Sequence, residues 1–307
     1  MGPILENEQK ELLRWCETVL GPLEPGEDFT REHPGQRAAV HLLRARSGSA
    51  YLKVHRDPAH WASEVHAYEH WAPAFGSFAP RLLGVREVEP LAVLVSDLPG
   101  TILEGVSLPS GQEQAAWRSA GQALASLHAL TQGSFFGPCR RDGSALGSAI
   151  AEAREYVTAC LEDWLERGLR GSFLSQDEQA ALRAARGLIP AFEGEPALPC
   201  HRDYCPANWL VLPDGRWSGV VDFEFAYWDV RASDFSRYPG WNWIARPDLN
   251  EAFFEGYGLS PSPAQEEQIL FARLLYALGA VVWGMENDYF GFAREGRQAM
   301  RILGRQV

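Results

Sequence analysis

The residues best suited to chemistry fall in one stretch, His201-Arg202-Asp203-Tyr204-Cys205-Pro206-Ala207-Asn208, with Asp222-Phe223-Glu224 shortly behind it. Between them, Asp214-Gly215 separates two apolar runs and has the composition of a two-residue hairpin turn. Counting back from that turn pairs Pro213 with Arg216 and Asn208 with Val221, so Asn208 stands one position from the partner of Asp222. An amide oxygen and a carboxylate then reach the same edge of the sheet. Two hard oxygen ligands side by side suit Mg2+, which takes one or two protein groups and completes its shell with phosphate oxygens and water. Asp203 precedes Asn208 by five residues, in a loop that Pro206 keeps from becoming helix. It could orient an incoming hydroxyl or accept its proton, and nucleotide phosphoryl transfer needs this combination of metal ligands and positioning carboxylate. His201 reads better as a hydrogen-bonded brace of the loop than as an acid or base. Cys200 and Cys205 beside it lack the four-ligand spacing of a zinc site.

The pattern His201-x-Asp203-x4-Asn208 followed by Asp222-Phe223-Glu224 resembles the catalytic loop and metal-binding segment of the aminoglycoside phosphotransferase and choline kinase family, small-molecule kinases distantly related to protein kinases. Downstream, Asp229 and Asp234-Phe235 resemble that family's G-D-P-x-x-D-L segment, with Trp228-Asp229-Val230 in place of Gly-Asp-Pro. Upstream, Tyr51-Leu52-Lys53-Val54 resembles the strand whose lysine contacts the α- and β-phosphates. The chain has only two lysines, Lys10 and Lys53, so one inside an apolar segment invites a chemical explanation. Glu64 resembles the helix glutamate that pairs with this lysine, with Glu69 as its competitor. Leu94-Val95-Ser96-Asp97-Leu98-Pro99-Gly100 resembles the hinge that holds a nucleotide base through backbone groups around Ser96 and Leu98, and Leu127-His128 closes a helix as the family's L-H does. The resemblance covers roughly residues 35–240. It implies a bilobal α+β fold, ATP or GTP as phosphoryl donor, Mg2+ as cofactor, and Lys53, Glu64, Ser96, Leu98, Asn208 and Asp222 as its binding residues, with Asp203 catalytic.

Two departures stand out. Position 202 carries Arg where small-molecule members usually carry Gly. The phosphate-covering loop, placed by position near His33-Pro34-Gly35-Gln36-Arg37, has a single glycine. Asp222 leads directly into Phe225–Asp234 with no A-P-E motif, which disfavours a protein substrate.

The elements that must position these residues follow from periodicity and punctuation. Residues 5–20 space apolar side chains as a helix does, and Gly21 ends it. Residues 23–35 have loop composition. Two strands are expected over Ala38–Leu43 and Ala50–Val54 across the turn Arg46–Ser49, then a helix over Pro58–Trp71 and strands over Arg81–Glu87 and Leu91–Val95. Beyond residue 97 the pattern becomes helical at Gln112–Leu130, Ala145–Arg167, Ser175–Phe192, Asp248–Tyr257 and Pro263–Phe290, interrupted by a β-rich island at Leu198–Phe223. The division expected is a nucleotide-binding lobe over residues 1–97 and a catalytic, substrate-binding lobe over 98–307.

Composition narrows the class. With 307 residues, 46% hydrophobic and 22% charged, the chain can bury a large core. A formal charge of −12 opposes non-specific nucleic-acid binding and favours a cationic ligand where carboxylates gather at a cleft. Five scattered cysteines without a C-x-x-C pair suit a reducing compartment, and no apolar run is expected to approach the roughly 18 residues needed to cross a bilayer, so a cytoplasmic protein is expected. For the acceptor, the charge and the resemblance lean towards aminoglycosides or other amino-alcohols, then choline-like compounds and sugars. Glu286 and Asp288, which interrupt an apolar helix, and Asp229 are candidate carboxylates for an amine, although a polar helix face explains the first two equally well. The eleven tryptophans, among them Trp228, Trp241, Trp243 and Trp283, are more simply core than an aromatic box for a quaternary ammonium. The rival from another class is a nucleotide-binding pseudokinase, against which the complete set Lys53, Asp203, Asn208 and Asp222 argues.

Overall fold

The computed structural model describes residues 6–24, 38–237 and 245–307. The expected phosphate-covering loop at residues 33–37, Trp241 and Trp243 lie outside these. A four-stranded antiparallel sheet of order β1-β2-β4-β3 is built from β1 (Ala38–Ala45), β2 (Gly48–His55), β3 (Leu82–Arg86) and β4 (Leu91–Ser96). The β1–β2 turn is tighter than expected: Ala45 pairs with Gly48 across Arg46-Ser47 alone. Period-2 alternation divides β2 between two faces. Ala50, Leu52 and Val54 join Ala92 and Leu94 of β4 under helix α1 (Glu6–Leu20), whose Leu12 and Cys16 are fully buried. Tyr51, Lys53 and His55 therefore point to the opposite face, where helix α2 (Pro58–His66) lies. Asp57 caps α2 by accepting from the Ala59 amide at 2.8 Å, and the helix continues through a π turn at Ala67–Trp71.

The chain then crosses to a larger, mainly helical part. Its helices are α3 (Ser110–His128), α4 (Ala153–Arg170), α5 (Gln176–Ala185), α6 (Pro247–Tyr257), α7 (Pro263–Glu286) and α8 (Phe290–Leu303). The expected helix over Ala145–Arg167 starts only at Ala153, because residues 136–150 instead make isolated bridges such as Phe136–Ile150 and Cys139–Ala145. The long C-terminal helix expected to reach Phe290 breaks at Asn287–Tyr289, where Asp288 takes a left-handed conformation (φ 57°), and α8 begins beyond it. By length and composition α7 is apolar enough to cross a membrane. However, 61% of its apolar window is buried against α8, α4 and neighbouring turns, which accounts for that composition by packing.

The β-rich island supplies three short strands, which pair with two from outside it in two small sheets. Strands β5 (Thr101–Ile102), β7 (Trp209–Val211) and β8 (Trp217–Val220) form one; β6 (Leu198–Cys200) and β9 (Tyr227–Asp229) form the other. The fold is thus α+β, a small antiparallel-sheet part followed by a mainly helical one.

Candidate active site

The β7–β8 hairpin does place Asn208 opposite Val221, whose amide donates to the Asn208 carbonyl at 2.9 Å. The turn differs from the expected one. Leu212, not Pro213, faces Arg216, around a three-residue loop in which the Gly215 amide donates to the Leu212 carbonyl and Gly215 holds φ +80°. The reason is Pro213: its fixed φ suits the second position of a type I turn and is excluded from the positive φ values of a two-residue I′ turn. A register shift between Leu210 and Val211 then restores the pairing, with Leu210 opposite Gly219 and Trp209 opposite Val220.

From that hairpin a connected set of polar groups runs across the cleft face of the first sheet. Lys53 Nζ lies 2.6 Å from Glu64 Oε1 and 2.7 Å from Asp222 Oδ1, with Glu224 Oε2 at 3.8 Å. His55 Nε2 meets the second Glu64 oxygen at 2.7 Å. Glu69, the competing partner, instead binds Arg141 (Nη2–Oε1 2.6 Å). Burial works against the charge on Lys53, but Asp222, Glu64 and Glu224 outweigh it and hold its pKa well above the ordinary lysine value. Glu64, fully buried, is opposed by desolvation yet lowered to about 2 by Lys53 and His55. On the other side, Asn208 Nδ2 donates to the Asp203 carbonyl at 2.8 Å and to Asp203 Oδ2 at 2.7 Å. Asp203 Oδ1 accepts from Arg237 Nη1.

The loop carrying Asp203 is over-determined. Asp234, in the 3-10 turn Arg231–Phe235, accepts the amides of His201 (2.9 Å) and Arg202, and also faces His128 Nε2 at 3.0 Å. Tyr257 completes that brace at His128 Nδ1 (2.8 Å). His128, Cys200 and Asp234 are close enough to suggest a metal cluster, but these protein donors already engage both Asp234 oxygens. His201 Nε2 lies 3.1 Å from the Val221 carbonyl, and Tyr204 donates to the Ala120 carbonyl at 2.8 Å. Arg202 adopts φ +64°, the region that favours glycine. Its guanidinium is held there by Asp229 (Nε–Oδ2 2.6 Å) and stacks 4.5 Å over the Tyr227 ring. This accounts for the departure at position 202: the backbone conformation is the one glycine would take, and arginine keeps it through a buried partner.

Asp222 also has positive φ (+70°), and its side chain is 36% exposed, so the carboxylate reaches out of the sheet. Asn208 spends its amide nitrogen on Asp203, which leaves Oδ1 as its ligand atom. A carboxylate just past β8 and an amide oxygen just before β7 are hard oxygen donors of the kind Mg2+ takes, and the residues present fit that ion. Ser96 ends β4 three positions beyond Val93, the ladder partner of Lys53, hence about 10 Å along the strand. Its Oγ accepts from the Arg81 amide at 2.9 Å, while Leu98 is buried against Gly219 of β8.

The remaining sequence candidates do not join this set. Asp229 is buried with Arg202, Tyr156 (3.1 Å) and the Val230 amide (2.7 Å), so it has no side open to a substrate amine. Glu286 pairs with Arg167 of α4 (Nη2–Oε2 2.5 Å), and Asp288 lies exposed in the α7–α8 break. Glu286 is also ten residues beyond Tyr276, the α7 residue at the Arg237 end, which is about 15 Å along a helix. Trp228 packs edge-on to Trp71 at 5.0 Å, and Trp283 against Phe292 at 5.8 Å. Sequence reasoning missed Arg237, for which no signal existed beyond its place two residues after Phe235 in an arginine-rich chain. It also missed His55, for which a signal did exist in its place two residues from Lys53 on the same strand face.

Comparison with known proteins agrees with this geometry. The model of the phosphotransferase enzyme family (APH) matches residues 28–269. A homoserine kinase of Phenylobacterium zucineum (strain HLK1) is 29% identical over 209 residues, 68% of this chain and 58% of that protein. A homoserine kinase of Caulobacter sp. (strain K31) is 31% identical over 150 residues, 47% of this chain and 40% of that protein. The chain therefore spans less than two thirds of the length of these relatives. Among solved structures, a thermostable mutant of aminoglycoside phosphotransferase APH(4)-Ia in ternary complex with AMP-PNP and hygromycin B matches with TM-score 0.72 at 18% identity, over 95% of this chain and 97% of that one. The GDP complex of wild-type aminoglycoside 2'-phosphotransferase-IIIa matches with TM-score 0.72 at 12% identity, over 99% of both chains. At these identities the structural likenesses speak for the fold. The family match runs unbroken through the Lys53 strand, the His201–Asn208 loop and the Asp222 hairpin, and the chain belongs to the phosphotransferase enzyme family.

Proposed function

We propose that this protein moves the γ-phosphate of ATP, or GTP, onto a hydroxyl of a small molecule. The observation that carries the reading is the Lys53 ammonium, buried between Glu64 and Asp222 while Asn208 of the same hairpin grips Asp203. A buried lysine fixed between two acids is a charge positioned for something more than stability. Lys53, set by Glu64, neutralises nucleotide phosphate charge, and the backbone around Ser96 and Leu98 takes the base. Asn208 and Asp222 would hold Mg2+, which would supply positive charge to offset that of the nucleotide phosphates. Asp203 receives the acceptor hydroxyl: its oxygen forms the new bond to the γ-phosphorus, the bond to the β-bridging oxygen breaks with its electron pair leaving on the nucleoside diphosphate, and the hydroxyl proton passes to Asp203 and on to solvent. A carboxylate offers about four lone-pair sites, so the contacts with Asn208 and Arg237 leave room for this.

Nucleotide complexes of the structural neighbours, with AMP-PNP in one and GDP in another, support both donor classes. For the acceptor, hygromycin B in one neighbour and the homoserine kinase relatives support a hydroxyl compound that also carries an amine. The test is Asp203→Ala. Magnesium-dependent ADP release with an accepted alcohol should fall at least about 100-fold, with the thermal shift caused by nucleotide preserved. Turnover near the parent level would remove Asp203 from the mechanism.

A further inference from the structure

The helix that carries Glu64 is fastened to both parts of the molecule. Helix α2 lies on the face of the first sheet that carries Lys53, but its π-turn continuation belongs to the other core. There Ala67, Tyr68 and Trp71 are buried in the hydrophobic cluster of the helical part, and Tyr68 packs 5.2 Å from Phe223, the neighbour of Asp222. A second fastening comes from residues 137–147, which are themselves held to the helical part. Gly137 and Trp228 exchange amide-to-carbonyl bonds at 2.7 and 3.2 Å, and Phe136 stacks on Tyr156 of α4 with ring centroids 5.1 Å apart. From that anchorage the segment reaches α2 and its continuation at three places. Ser63 Oγ donates to the Cys139 carbonyl at 2.9 Å, with both residues fully buried. His66 Nδ1 meets the Arg141 carbonyl at 3.0 Å, and Arg141 grips Glu69 through Nε (3.1 Å) and Nη2 (2.6 Å). Gly143 permits the close approach, since a Cβ there would stand 3.0 Å from the His66 ring. Arg141 Nη1 also holds Glu87, the first residue past β3, so one side chain ties the helix and the sheet to the helical part.

We infer that residues 137–147 are a strap fixing α2 on the helical part, and that Arg141 is a positioning residue for the Lys53–Glu64 pair. The inference rests on the kinase reading above and adds that the partner of Lys53 is aligned from the helical part, not by the sheet that carries the lysine. Glu64 stands between Ser63 and His66, so a shift of the strapped face moves its carboxylate as well. With Glu64 displaced, Lys53 is left to Asp222 and Glu224. Its ammonium is then drawn from the phosphates towards a proposed Mg2+ ligand.

The experiment uses the full chain and measures, by calorimetry with Mg2+, the affinity for AMP-PNP and GMP-PNP, and by competition the affinity for the matching nucleoside. In Arg141→Met the affinity for the triphosphate analogue that the parent binds should fall about three- to thirtyfold, the range seen for residues that act on a ligand without touching it. Nucleoside affinity should hold, because the base does not meet the lysine. The Arg141 side chain is 35% exposed, and ion pairs so exposed contribute little to folding, so the apo Tm should move by no more than about 3 °C. Amide exchange should quicken over residues 63–69 and stay unchanged in α3. Glu69→Gln removes the same grip from the helix side, should reproduce the loss, and decides alone if the first variant does not fold. The double variant should bind no more weakly than Arg141→Met, since the two act through one contact. Unchanged affinity for the triphosphate analogue, or an equal loss for nucleoside and analogue, overturns the inference and leaves the kinase reading standing. A parent chain that binds neither analogue with Mg2+ overturns the kinase reading itself, and the inference falls with it.

Discussion

Arg202 shows how one residue can hold a conformation that its type disfavours. A left-handed backbone costs a non-glycine residue about 1–2 kcal/mol, and the ion pair with buried Asp229 offsets this. Arg202→Gly relieves the strain but strands the acid, which should cost about 3–5 kcal/mol, so a net loss of roughly 2–3 kcal/mol is expected in urea unfolding. Burial raises the Asp229 pKa and Arg202 lowers it. Without the arginine the folded state favours protonated Asp229, a group whose folded pKa then lies further above its unfolded value. Its contribution is kept below the ordinary Asp range and lost as pH rises, so the deficit should be larger at pH 8 than at pH 5. Glu64 has the opposite sign. Its pKa, lowered from 4.5 to about 2, gives stability that is present above 4.5 and lost as pH falls towards 2. That loss is on the order of 3 kcal/mol, and the acid limb of the stability profile should flatten in Glu64→Gln. At this scale the site was legible where residue type was rare or the spacing fixed: one lysine in an apolar strand, an acid and an amide five apart. Arg237 was not, because arginine is the chain's general-purpose cation and only tertiary structure brings this one to Asp203.

At the scale of elements, the hairpin register could be counted from its turn, while the turn type could not be read without giving Pro213 its due. The break at Asn287–Tyr289 escaped notice because it holds neither proline nor glycine; Asp288 makes the left-handed turn instead. The α3–α6 crossing was equally silent in sequence. A Cβ on Gly121 would run into the Phe253 carbonyl and one on Gly256 into the Arg118 carbonyl, so the two backbones touch through paired glycines. This closeness sets the site, since α3 carries His128 and the Tyr204 anchor Ala120, while α6 carries Tyr257. Gly256→Ala should gain up to about 1 kcal/mol of helix propensity and lose more to the clash, for a net loss of about 1–3 kcal/mol by thermal or urea unfolding. Helix spreading should also slacken the His128–Asp234 brace, so kcat should fall along with stability.

For the whole molecule, two hydrophobic clusters divide the described residues. One sits under α1 on the outer face of the first sheet; the other runs through the helical part and reaches back to Val95 and Tyr68. We propose residue 97 as the joint between the two parts. The α+β class was legible because the apolar period changes there from about 2 to 3.6. The contact between Arg237 and Asp203 was not legible, since the two come from segments over 30 residues apart.

The joint has a further property. Immediately past it, Thr101 and Ile102 of β5 pair with Val211 and Leu210, Ser218 donates to the Pro99 carbonyl, and a Cβ on Gly100 would stand 2.7 Å from the Val211 carbonyl. The pivot is therefore bolted to the strand pair bearing Asn208 and Asp222, with no spacer between them. With residue 97 as the joint, Lys53 and Ser96 belong to the first sheet and would move together, whereas Asn208 and Asp222 stay with the strands that hold Thr101 and Ile102. Opening and closing would then be felt at the phosphates as the arrival or departure of a single positive charge.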